Sequence, residues 1–152
     1  MDTGSYLMWV ECQECKDPGH HSFHQNKPVF NHSQSSSHRK LVCDRHPLCF
    51  PGKCIGNFCS YHIVYDNEAT TEGYLASKTF TFESNSKRSE RVWVLMVKRG
   101  NVAGILGSGW SPHSLVSQFG SISEGWFSHC LQRMPYDHHS PNTYLRFGAD
   151  TQ

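Results

Sequence analysis

The chain has 152 residues, 14 Lys and Arg against 13 Asp and Glu, a net charge of +1, and 37% hydrophobic residues. That is one domain's worth of chain, long enough to bury roughly two-thirds of its unfolded surface. The basic residues are scattered apart from the short runs Arg39-Lys40, Lys87-Arg88 and Lys98-Arg99, which argues against a nucleic-acid partner, and no stretch approaches the ~20 apolar residues of a membrane span.

The first element is a turn, Asp2-Thr3-Gly4-Ser5, running into apolar Leu7-Met8-Trp9-Val10. Gly4 permits a tight turn, and the Thr3 and Ser5 hydroxyls are of a type that hydrogen-bonds a carboxylate. The sequence contains no second Asp-Thr/Ser-Gly. Six of the seven cysteines then crowd between Cys12 and Cys59, a density that fits a disulfide framework and an oxidising compartment better than a cytosolic protein. Cys12, Cys15, His20 and His24 also have spacing close to that of a zinc knuckle, whose ligand set zinc would accept. The plain alternative is a disulfide beside a solvated histidine-rich loop. Asn31-His32-Ser33 is a glycosylation sequon, meaningful for an exported chain, and Ser33 to His38 is a polar loop.

Tyr61 to Tyr65 and Tyr74 to Phe82 are rich in β-branched and aromatic residues, with Asp66 to Glu72 supplying turn chemistry, so they predict a hairpin. Arg91 to Val97, Val102 to Leu106, Trp126 to Leu131 and Tyr144 to Phe147 are further strand candidates. Ser111 to Phe119 reads as a short helix with Pro112 placed to start it, and Arg133 to Asn142 as a loop. The pattern is all-β with one or two short helices.

Asp2-Thr3-Gly4-Ser5 with Trp9-Val10 and Cys12 resembles the first active-site segment of plant pepsin-like aspartic proteases of the nepenthesin and nucellin type. The likeness continues through Pro47-Leu48-Cys49, Cys59-Ser60-Tyr61, Gly104-Ile105-Leu106-Gly107, Ser114-Leu115-Val116-Ser117-Gln118 and Phe127-Ser128-His129-Cys130, and so covers nearly the whole chain. The xylanase inhibitor N-terminal domain is similar. The resemblance implies that residues 1–152 form the N-terminal lobe of a pepsin-like protease, incomplete at its start, with the C-terminal lobe and the second aspartate outside this sequence. Asp2 would then be one half of a water-activating aspartate dyad, because two close carboxylates share one proton and divide the acid and base roles. Thr3, Gly4, Ser5 and Trp9 would support it. Tyr65 falls at the flap tyrosine, whose hydroxyl would take the indole N–H of Trp9.

The resemblance also implies disulfides joining Cys12 to Cys15, Cys43 to Cys59 and, nested inside, Cys49 to Cys54. Cys130 is left to pair with the other lobe. The flap tip, Tyr65-Asp66-Asn67-Glu68-Ala69, departs from the family's pattern by lacking both glycines, so side chains must tolerate positive φ there. Ser108 stands where the family keeps a large apolar residue, and its hydroxyl costs about 1–3 kcal/mol if unpaired. No cofactor and no metal are expected, which sets zinc behind the disulfide reading. The partner expected is a polypeptide substrate once a second lobe is supplied, with no nucleic acid and no membrane. Extracellular, cell-wall or vacuolar residence follows from the family, although this N-terminus lacks the basic start and apolar run of a signal peptide. The alternative function is a non-catalytic binding module similar to plant xylanase inhibitors.

Overall fold

A computed structural model describes residues 1–13, 29–66, 68, 70–81, 88–97, 104–120, 123–130 and 144–151, and for 81, 88–97 and 150–151 the backbone alone. Cys15, His20, His24, Asn67, Ala69, Phe82, Val102 and Leu131 lie outside the described residues.

The structure is all-β with one short helix, as the sequence predicts. The strands are β1 (Trp9–Val10), β2 (Arg39–Lys40), β3 (Cys54–Ile55), β4 (Phe58–Val64), β5 (Thr70–Thr81), β6 (Arg88–Val97) and β7 (Gly104–Ile105), followed by α1 (Leu115–Phe119), β8 (Phe127–Cys130), β9 (Tyr144–Phe147) and a 3₁₀ turn at Gly148–Thr151. Seven strands make one sheet in the order β3-β4-β5-β6-β1-β7, with β2 also paired to β5, while β8 and β9 form a separate antiparallel pair. The expected hairpin is β4 with β5, paired from Ser60 opposite Tyr74 to Val64 opposite Thr70. β2 takes over that edge of β5 further along, setting Lys40 opposite Ala76.

Two short strand candidates contract: Gly104–Ile105 replaces Val102 to Leu106, and Phe127–Cys130 replaces Trp126 to Leu131. The helix also starts later than Pro112 suggests. Ser114, extended at φ −72° and ψ 153°, accepts a hydrogen bond from Ser117 N and so caps α1 at Leu115.

Alternation along the first segment fills two cores. Leu7 and Trp9 join Leu41, Cys59, Tyr61 and Leu75, whereas Met8 joins Leu115 and Phe119 with Val10, Leu106 and Phe147 against them. β1 is held between β6, parallel, and β7, antiparallel. A two-residue strand therefore sits in the interior of the sheet, fixed by neighbours on both edges and apolar packing on both faces.

The disulfides correct the nested expectation. Cys43 is joined to Cys54 and Cys49 to Cys59, so the two bridges cross. The reason is local: β3 and β4 place Cys54 directly opposite Cys59, so both hairpin cysteines are offered to the preceding loop at once. Cys43, whose N–H donates to Asn57 O at 2.9 Å, lies at the turn of that hairpin. Spacing along the chain does not reveal this arrangement. Cys12 is also disulfide-bonded, which removes the thiolate that a zinc knuckle would need. Cys130 carries a free thiol.

Digestion with trypsin and chymotrypsin under non-reducing conditions, cutting after Arg45, Lys53 and Phe58, separates all four cysteines. The Cys43 peptide should travel with the Cys54 peptide and the Cys49 peptide with the Cys59 peptide; recovery of Cys43 bound to Cys59 would restore the nested scheme.

Candidate active site

Asp2 is located by backbone contacts with the segment that follows β7. Its N–H donates to Leu106 O at 3.0 Å, Ser108 N donates to Asp2 O at 2.9 Å, and Gly109 N donates to Ser5 O at 2.8 Å. The two segments run so close that a Cβ on Gly107 would stand 2.5 Å from Leu7 N and 2.6 Å from Leu7 O, and one on Gly109 would stand 2.9 Å from Ser5 O. Backbone atoms cannot give way as a flexible side chain can, so glycine is required at both positions. Ser108 is buried between them, and its hydroxyl donates to Leu106 O at 3.4 Å, so the penalty of an unpaired group is avoided.

The Asp2 carboxylate accepts the Gly4 N–H at 2.9 Å through Oδ1. The Ser5 hydroxyl beside it is the largest influence holding the carboxyl below its usual 3.8; burial opposes this, and the Gly4 N–H, the chain's amino group and the Ser5 N–H reinforce it. Ser5 Oγ is buried and completes no hydrogen bond of full geometry, so it acts on Asp2 as a nearby dipole. Because the charged form is the favoured one, Asp2 stays ionised into mild acid. Thr3 is exposed and its hydroxyl makes no hydrogen bond among the described residues.

The expected hydrogen bond from Trp9 Nε1 to Tyr65 OH is present at 2.8 Å. It joins residues 56 positions apart and ties the end of the β4–β5 hairpin to the segment carrying Asp2. Burial raises the Tyr65 hydroxyl, the Trp9 N–H lowers it, and the negative charge of Asp2 raises it further. The phenol is thus kept protonated beside the carboxylate. The turn beyond it closes through Glu68 N to Tyr65 O at 2.9 Å. Among the described residues of that turn, Glu68 adopts positive φ, at 62°.

One participant carries no signal in the sequence: His113, one of eleven histidines. Its Nε2 lies 2.6 Å from Leu48 O and its ring stacks on Phe50 at 4.4 Å, while Tyr6 meets it at 6.0 Å. Leu48 O can only accept, so Nε2 carries the proton, leaving Nδ1 to receive the Ser111 hydroxyl at 3.3 Å. His113 therefore pins the 107–114 loop to the loop closed by Cys43 and Cys54. Trp110, in the same loop, is fully exposed.

Asn31 lies apart from this constellation. Its side-chain nitrogen donates to Gln13 Oε1 at 3.2 Å and its oxygen accepts Gln34 N at 3.0 Å. Cys43, Asp44 and Cys54 offer ligand atoms within 4.8 Å of one another, but both sulfurs belong to one disulfide and supply no thiolate. Among the described residues, no helix is long and apolar enough to cross a membrane.

Over residues 1–149 the chain matches the family described as xylanase inhibitor N-terminal. The chain belongs to this family. It is the family of the N-terminal lobe of plant pepsin-like aspartic proteases. Relatives include aspartic proteinase nepenthesin-2 of Nepenthes gracilis, 38% identical over 94% of this chain and 32% of its own length. Aspartyl protease AED1 of Arabidopsis thaliana is 33% identical over 97% of this chain and 32% of its own. Aspartic proteinase nepenthesin-1 of Nepenthes gracilis is 36% identical over 86% and 30%. The chain spans about a third of the length of the curated relatives it matches.

Two expected outcomes follow from this geometry. Gly107→Ala should lower stability by about 3 kcal/mol or more in chemical denaturation, since the backbone on which its Cβ would fall cannot move aside. Ser5→Ala should move the Asp2 titration midpoint, followed by carboxyl carbon chemical shift, up toward 3.8. The stability that Asp2 contributes is present above that value and fades as pH falls through the depressed midpoint, so Ser5→Ala should shift the fading to higher pH.

Proposed function

We propose that this chain contributes one aspartate, Asp2, to a pepsin-like endopeptidase active site, cleaving polypeptides by water attack with a second carboxylate supplied from outside residues 1–152. The observation that supports the reading is an Asp2 carboxylate that accepts the Gly4 N–H, on the same segment whose Trp9 hydrogen-bonds Tyr65. Its depressed carboxyl suits the ionised, base member of the pair: Asp2 takes a proton from water as the water oxygen attacks the amide carbon, and the departing amine takes one from the protonated partner. Tyr65 and Trp9 act as the latch of a lid that excludes bulk water. The disulfides agree with residence in an oxidising compartment, outside the cell, in the wall or in the vacuole. A binding module would have no use for a seated carboxylate, which favours the protease reading over the inhibitor-like one.

The test joins this chain to the C-terminal portion of nepenthesin-2. Acid-range, pepstatin-sensitive cleavage is expected from the joined protein, falling by at least about a thousandfold in Asp2→Asn and by roughly tenfold in kcat/KM in Tyr65→Phe. This chain alone should not cleave. Cleavage by the isolated chain that Asp2→Asn abolishes would replace this reading with a homodimer sharing two copies of Asp2.

A further inference from the structure

At the far end of β4 and β5 from the Tyr65 turn, the fold gathers cations that the sequence scatters. Lys40 lies opposite Ala76, so Lys78 is its diagonal neighbour across the pair, a separation of about 7–8 Å. The Lys40 ammonium rests over the Tyr74 ring at 4.1 Å and the Phe58 ring at 5.3 Å, and these two rings meet edge to face at 6.0 Å. Lys78 Nζ donates to Ser35 Oγ and stands 5.7 Å from the Phe30 ring. His38 packs beside Phe30 at 6.4 Å and stacks with His32 at 5.2 Å.

Both lysines are thus steadied by rings and a hydroxyl, none of which cancels their charge. His38 registers the resulting field: after burial, what holds it below the usual imidazole range is the positive charge of His32, Lys40, Lys78 and Arg39. Its Nε2 is buried without a partner, so it senses the surface and does not touch a ligand there. On the neighbouring strand the register sets Arg91 opposite Lys78 and Glu90 opposite Thr79, and alternation assigns those two pairs of positions to different faces.

We propose that the surface formed by Lys40, Lys78 and His32 is a binding site for an oligomeric anion bearing sulfate or phosphate esters. Sulfate and phosphate esters are ionised at every pH at which the two lysines are charged, and each presents several strong acceptor oxygens to an ammonium donor. The rings are occupied by ammonium groups, which leaves no platform for stacking bases and disfavours a nucleic acid.

The test measures binding of a heparin-derived hexasaccharide and of tripolyphosphate to the intact chain at pH 5 across a salt series. Lys40→Gln with Lys78→Gln should weaken binding at least roughly tenfold and reduce the salt slope by about two. Arg45→Gln with Lys53→Gln, in the disulfide loops, should leave both unchanged. Binding of the hexasaccharide alone would identify sulfate esters, and of tripolyphosphate alone phosphate; either supports the site. In the unsubstituted chain the bound anion should also raise the His38 titration midpoint followed by NMR, by reciprocity of linkage. Equal losses in the two double variants, an unmoved His38 midpoint, or tighter binding of a single-stranded 12-mer oligonucleotide would overturn the proposal.

Discussion

The approach of two backbones, residues 2–9 and 104–109, is the constraint on which the site depends. Hydrogen bonds between them seat Asp2, and their separation leaves no room for a Cβ at Gly107. An aspartate on a loop alone would sample many positions. Here the peptide bonds on both sides of its Cα are engaged, its N–H by Leu106 and its carbonyl by Ser108, so only χ1 and χ2 remain to be set by Gly4 and Ser5. Positioning of the carboxylate is thus chiefly a backbone property, and a catalytic group needs that kind of support.

Around this contact the structure adds ties from distant parts of the chain. Trp9 is buried in one core and spends its single polar atom on Tyr65, so the hairpin is attached at a point the core itself fixes. Tyr61 and Thr71, hydrogen-bonded at 2.7 Å within the hairpin, stiffen it lower down. His113 works from the other side, stacking on Phe50 and joining the loop after Gly109 to the disulfide-closed loop.

Much of this was legible because some residues have few physical uses. Asp-Thr-Gly before an apolar run, the paired glycines around Ile105 and Leu106, and the alternating aromatic strands each restrict the backbone locally, and the all-β class and the hairpin follow from them, whereas the Trp9–Tyr65 bond is what the family resemblance implies. What escaped depends on placement in space. The crossed disulfides turn on which cysteines face each other across β3 and β4, a matter of register that four closely spaced cysteines do not reveal. The role of His113 needs Leu48 O at hand, 65 residues earlier. The Ser108 hydroxyl is accommodated by a carbonyl two residues back, a partner that residue type alone does not reveal. Ser114, whose side chain accepts a hydrogen bond from the first turn, sets the start of α1 later than Pro112 predicts.

The two-sided packing of Leu7 to Val10 carries a further consequence. In most strands a slip of one residue is forbidden because it drives polar side chains into the core. Here both faces are apolar, with Leu7 and Trp9 on one and Met8 and Val10 on the other, so hydrophobic patterning alone barely distinguishes the right alignment from a shifted one. The discrimination falls to the glycines, which act as a key: only one alignment brings a missing side chain to each point of backbone contact. Enlarging one of them would do more than subtract stability. It would remove the mark by which the folding chain recognises its own frame, and a shifted, well-buried alternative would carry Asp2 to the wrong place.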